Sequence, residues 1–186
     1  LESAMMPAIQ VGLLVLVVTA PAFIFFSQKG PGAMHAPWLI SLAAGLVVGG
    51  LSQVSRLCTV GGFRDLFLFK KSILIFGYLA VLVGVFVVNI SFGNFHLGFE
   101  NQPIAHTDGL WNFLGMALAG FCSVLLGGCP LRQLIMTGEG NSDSAVTVLG
   151  LAAGAAFAHN FGLAASGAGP TLNGEIAVGV GFVVAL

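Results

Sequence analysis

Two Gly-rich, Cys-bearing interruptions set between long apolar runs constrain this chain more than any other feature. The first runs from Gly49 to Lys71 as GGLSQVSRLCTVGGFRDLFLFKK and carries four of the six Lys and Arg residues. The second, GFCSVLLGGCPLRQL, runs from Gly120 to Leu134. A Gly stands nine positions before a Cys in each (Gly49 to Cys58, Gly120 to Cys129), and the two cysteines are 71 positions apart. Pro130, directly after Cys129, cannot donate a backbone hydrogen bond, so an unbroken helix through that point is excluded.

The flanking runs are long enough to cross a bilayer, which takes about 20 apolar residues. They cover Met6–Phe26, Trp38–Leu57, Ser72–Val88, Leu110–Leu126 and Ser144–Phe161, and a shorter one covers Ile176–Leu186. Only 7% of residues are charged and 57% are hydrophobic. A soluble domain is nearer a quarter charged, so the surface of this one must be solvated by lipid. The expected fold is an all-α polytopic membrane protein of five to six transmembrane helices, with two broken or re-entrant segments arranged as an internal repeat. It forms a single membrane domain over residues 1–186, with repeat units at about 38–90 and 110–161. Met6–Phe26 lacks a basic leader and is too long for a signal-peptide core, which favours a true span; Pro21 should kink it, and Ser27–Pro37 forms a turn-rich loop.

Basic residues place the loops. Arg56, Arg64, Lys70 and Lys71 follow the second span and Arg132 the fourth, whereas the loops after the third and fifth hold none. This asymmetry predicts a cytoplasmic N-terminus and two Cys breaks entered from the same side. A net charge of −1 and the lack of a basic tail give no case for nucleic acid. No paired carboxylates, metal-ligand cluster, phosphate loop or Ser/His/Asp order is visible, so no catalytic residue, metal or cofactor is expected. His35, His96 and His106 read as loop residues and His159 as an interfacial one.

Irregular backbone is tolerated at membrane depth only inside protein or along a watery path, and paired Gly-rich interruptions point to a substrate site. Freed N–H groups at a helix start favour anions, and the Arg fork of donors suits oxyanions. Cys58 and Cys129, with Arg56, Arg64, Arg132, Gln53, Ser55, Gln133, Gly61, Gly62, Gly127 and Gly128, are therefore the candidate substrate-binding residues. Asp65 beside Arg64 would be its partner, and Glu139 and Asp143 read as a polar turn. Cys122 reads as a small core residue, and the sequence leaves a disulfide between any two of the three cysteines open. Soft thiols beside Arg suit a sulfane sulphur or a selenium species better than sulfate. Two other readings are a membrane thiol oxidoreductase or sulphur relay on Cys58 and Cys129, and a structural small-residue bundle within a larger complex.

SQVSRLCTVGGFRD (Ser52–Asp65) and GGCPLRQLIMTGEGNSDS (Gly127–Ser144) resemble the YeeE/YedE membrane family with its sulphur-transport domain, most of all its selenium-associated branch. The resemblance implies a multi-pass protein of the prokaryotic inner (plasma) membrane that imports a sulphur-containing anion such as thiosulfate, or a selenium compound. It implies that Cys58 and Cys129 line the central path and contact the substrate sulphur. Family members commonly carry two such halves. This chain opens at Leu1 and stops inside an apolar run, which fits half of a longer member or a homo-oligomer. A cytoplasmic sulphur- or selenium-handling protein is a further partner consistent with that role.

Overall fold

The computed structural model describes residues 2–19, 36–98 and 106–186, and within them every regular element is a helix. In chain order these are α1 (Glu2–Thr19), α2 (Trp38–Ser55), α3 (Thr59–Phe69), α4 (Ile73–Ser91), α5 (Gly109–Leu125), α6 (Pro130–Gly138), α7 (Ser142–Asn160) and α8 (Leu172–Ala185). The expected Pro21 kink and most of the Ser27–Pro37 loop with His35 lie outside the described residues.

Among the described residues three stretches are long and apolar enough to cross a membrane: Trp38–Phe69, Ile73–Ser91 and Gly109–Gly138. The first and third each comprise a long helix, a break and a short helix. Pro7–Leu16 and Leu172–Ala185 are apolar but shorter. The expected fifth span, α7, reaches 19 residues but carries Asp143, His159 and Asn160 at its ends, which lower its apolarity. The last helix starts at Leu172, four residues before the expected Ile176, because Thr171 caps it: its hydroxyl accepts the Gly174 N–H at 3.0 Å. The fold is that of an all-α polytopic membrane protein.

The interior is polar and small while the outside is apolar. Among the described residues the buried ones are Ser52, Cys58, Gln133, Thr137, Ser144, Ala145, Cys129 and the glycines Gly61, Gly62 and Gly128. Large side chains such as Val54, Phe67, Ile73, Phe92 and Met116 are exposed. Acyl chains are as apolar as leucine, so helix association in lipid comes from close packing and interhelical polar contacts rather than from hiding apolar surface. Within each helix the backbone groups between the ends are paired along the helix, which lipid requires.

Packing follows chain neighbours and then crosses between the two interrupted segments. α3 packs on α4, α6 on α7, and α5 on α8, while α1 lies against α6 and α7. In addition, α2 touches α6 and α3 touches α5. Each short helix therefore meets the long helix that precedes the other one, which brings the two breaks into one neighbourhood.

Candidate site at the paired helix breaks

Both breaks are built from the same two devices in the same order. α2 ends with Leu57 N–H donating to Ser52 O at 3.2 Å and Arg56 N–H to Gln53 O at 3.3 Å. α5 ends with Gly128 N–H donating to Ser123 O at 3.0 Å and Gly127 N–H to Val124 O at 3.1 Å. These paired bonds form a Schellman motif, which turns the chain through one left-handed residue. That residue is Arg56 (φ 51°) in the first break and Gly127 (φ 75°) in the second. Two positions later, Cys58 and Cys129 become the N-caps of α3 and α6. Pro130 occupies the first turn of α6, where its missing N–H is no loss.

A side chain with a Cβ is strained in the left-handed region by about 1–2 kcal/mol. Arg56→Gly is therefore expected to raise the thermal stability of the detergent-solubilised protein, by up to ~1 kcal/mol. Gly127→Ala is expected to lower it by a similar amount. Melts shifting in the same direction for both variants would contradict this account of the breaks.

The two cysteines converge. Cys58 is 8% and Cys129 5% exposed, and both are free thiols. Cys58 Sγ accepts the Gly61 N–H at 3.3 Å, so sulphur serves as the helix cap. The Cys129 thiol interacts with the backbone of Arg132, with the hydroxyl and backbone of Thr59, and with the Cys58 thiol. Two helix starts, each carrying the positive end of a helix dipole, thus enclose two neighbouring soft sulphur atoms.

Below the second break Gln133, 3% exposed, donates through Nε2 to Leu126 O at 2.8 Å. This bond satisfies a carbonyl that the end of α5 would otherwise leave unpaired. Thr137 donates its hydroxyl to Gln133 O at 2.8 Å. Beside these groups lies a cavity of about 140 Å³ lined by Cys122, Ser123, Gly128, Pro130, Gln133 and Thr147. Cys122 is half-buried and lines this cavity.

The candidate residues divide into an inner and an outer set. Cys58, Cys129, Gly61, Gly62, Gly128 and Gln133 are buried together, and Arg132 is half-buried beside them. Gln53, Ser55, Arg56, Arg64 and Gly127 are exposed. Arg64 points outward, its side chain 57% exposed and held by Asp65 at 3.0 Å, so its fork of donors is already engaged. His159 stands exposed in the last turn of α7. Among the described residues no cluster of His, Cys, Asp or Glu fit to hold a metal occurs.

Sequence reasoning missed four members of the polar interior: Ser52, Thr59, Thr137 and Ser144. One signal was available. Cys129, Gln133 and Thr137 recur every fourth position and so share one face of α6, a polar stripe in an otherwise apolar region. Thr59, adjacent to Cys58, carries no such signal, because only the meeting of the two breaks gives it a role.

Comparison with known proteins bears on this geometry. Residues 54–176, which include both breaks, match a family described as Sulphur transport. Over 111 residues the chain is 29% identical to the thiosulfate transporter TsuA of Escherichia coli strain K12, covering 58% of this chain and 30% of that relative. The match thus spans less than a third of the relative's length. No solved structure matches.

Proposed function

We propose that this chain, which belongs to the sulphur-transport family, takes up a small sulphur- or selenium-containing anion through the space its two breaks share. The observation that carries the reading is the meeting of two buried free thiols at the starts of two short helices. An anion there gains from two helix dipoles without a resident counter-ion. A terminal sulphur or selenium, soft and polarizable, meets two S–H donors of similar softness, whereas sulfate offers only hard oxygens. No covalent step is required, and passage from one thiol to the next is an exchange of hydrogen bonds. Gln133 and Thr137, buried on the same face of α6 as Cys129, extend the proposed path, and Arg132 in the first turn of α6 supplies positive charge. The exposed Arg56, with Lys70 and Lys71, raises local anion concentration by steering.

The proposal includes the arrangement of the whole. Residues 38–90 and 110–161 act as two copies of one unit in a prokaryotic plasma membrane, their breaks entered from the same side, with the N-terminus in the cytoplasm. A second half or a second copy of the chain completes the conduit, and a cytoplasmic protein that handles sulphur or selenium receives the cargo. The matched relative is named for thiosulfate, which makes that ion the first substrate to test.

Vesicles reconstituted with the full chain are expected to accumulate radiolabelled thiosulfate saturably. Unlabelled selenosulfate should compete better than sulfate. Uptake no faster than in protein-free vesicles would refute the reading. One observation, that the two thiols are both free and adjacent, also suits a thiol relay. That alternative predicts sulphur adducts on Cys58 or Cys129 with no label inside the vesicle.

A further inference from the structure

Arg132 and Glu139 stand at the two ends of α6, Arg132 in its first turn and Glu139 at its C-cap. About two helical turns separate them, so they share a face. Arg132 Nη1 and Glu139 Oε1 approach to 3.9 Å, close enough for opposite charges to attract but too far for a hydrogen bond. Nη1 is buried and has no hydrogen-bond partner among the described residues. The charge of the guanidinium is thus balanced while its donor is left unmet, an unfavourable state for a group removed from water.

Glu139 is also poorly placed for helix stability, since a carboxylate at a helix C-terminus opposes the dipole. The backbone that carries it is nonetheless fixed. Gly140 (φ 89°) donates to Thr137 O at 3.0 Å and Asn141 to Met136 O at 3.0 Å. Asn141 Oδ1 then accepts the Ser144 N–H at 2.9 Å and starts α7. Only the side chain of Glu139, 37% exposed, is free to swing.

We propose that Glu139 is a displaceable counter-anion, which holds Arg132 while the path is empty and yields it to a dianionic oxyanion at the mouth formed by the end of α6. This rests on the transport reading above and adds to it a residue that sets affinity and selectivity. A dianion presenting two oxygens engages the fork of the guanidinium, including the Nη1 donor that Glu139 leaves unmet. Chloride, with one charge and no paired oxygens, does not displace the carboxylate. Glu139 therefore acts on half-saturation and discrimination, not on maximal rate.

The test is thiosulfate uptake by vesicles holding the full chain, with and without chloride as competitor. Glu139→Gln is expected to lower the half-saturation concentration about fivefold, the smallest coupling expected of two ligands sharing one group, to make uptake chloride-sensitive and to leave the maximal rate unchanged. Glu139→Asp, one methylene shorter, should fall between the two. In an Arg132→Gln background the Glu139 substitution should have no further effect. Normal half-saturation and chloride resistance in Glu139→Gln, or a shift that persists without Arg132, would overturn the inference while leaving transport intact. Failure of uptake in the unsubstituted protein would instead overturn the transport reading, and this inference with it.

Discussion

Replacing Gly62 by leucine is expected to unfold the contact between α3 and α4, seen as a large fall in the melting temperature of the solubilised protein. A Cβ built on Gly62 would lie 3.4 Å from the backbone nitrogen of Ile75 and 3.5 Å from the carbonyl carbon of Leu74. Those atoms are backbone and cannot turn aside as a side chain would. Three further carbons must therefore push the two helices apart, at a cost of roughly 1–3 kcal/mol or more. Movement of α3 also carries Cys58 and Thr59 away from Cys129, so transport should fall with stability. Gly62→Ala makes only ordinary contact and should be tolerated. Gly50, in α2, meets nothing within 4 Å, and Gly50→Leu should leave the melt unchanged. Equal melting of Gly62→Leu and Gly50→Leu would show that α3 and α4 do not pack as described.

The order of helices and the location of the breaks were legible in the sequence. Gly127, at the left-handed turn after α5, and Pro130, at the start of α6, interrupt the second span for backbone reasons that act locally, and local causes can be read from local residues. The mismatch between the breaks, with Gly61-Gly62 after one Cys and Gly127-Gly128 before the other, has a structural explanation. The turn residue matching Gly127 is Arg56, which adopts the left-handed conformation without being glycine. Gly61 and Gly62 serve instead the packing of α3. Which arginine faces the site was not legible. Arg64 is turned outward by Asp65, and Arg132 inward along α6, a distinction set by tertiary packing. Apolar periodicity also gave little help, because in lipid the outer face is as apolar as any core. The small and polar residues marked the inside.

In the proposed function, two thiols brought together by broken helices form the passage. Loss of either sulphur is expected to lower the initial rate of thiosulfate uptake by at least ~10-fold: alanine removes a hydrogen bond to a charged ligand, and serine, with a shorter and harder hydroxyl, loses the soft contact with the terminal sulphur. The substitutions can be chosen to spare the fold. Cys58→Ser keeps a cap for the Gly61 N–H, since serine is a preferred N-cap. Cys129 makes no side-chain cap bond, so Cys129→Ala leaves the start of α6 intact while removing the contacts of the thiol with Thr59 and Cys58. Cys122→Ala serves as the control, because Cys122 lines the neighbouring cavity and lies outside the pair. The decisive measurement is initial uptake by these variants alongside their melting temperatures. Near-normal melts are expected for all, with normal uptake in Cys122→Ala and collapse in Cys58→Ser and in Cys129→Ala. Undiminished uptake in both of the latter would contradict the proposed function.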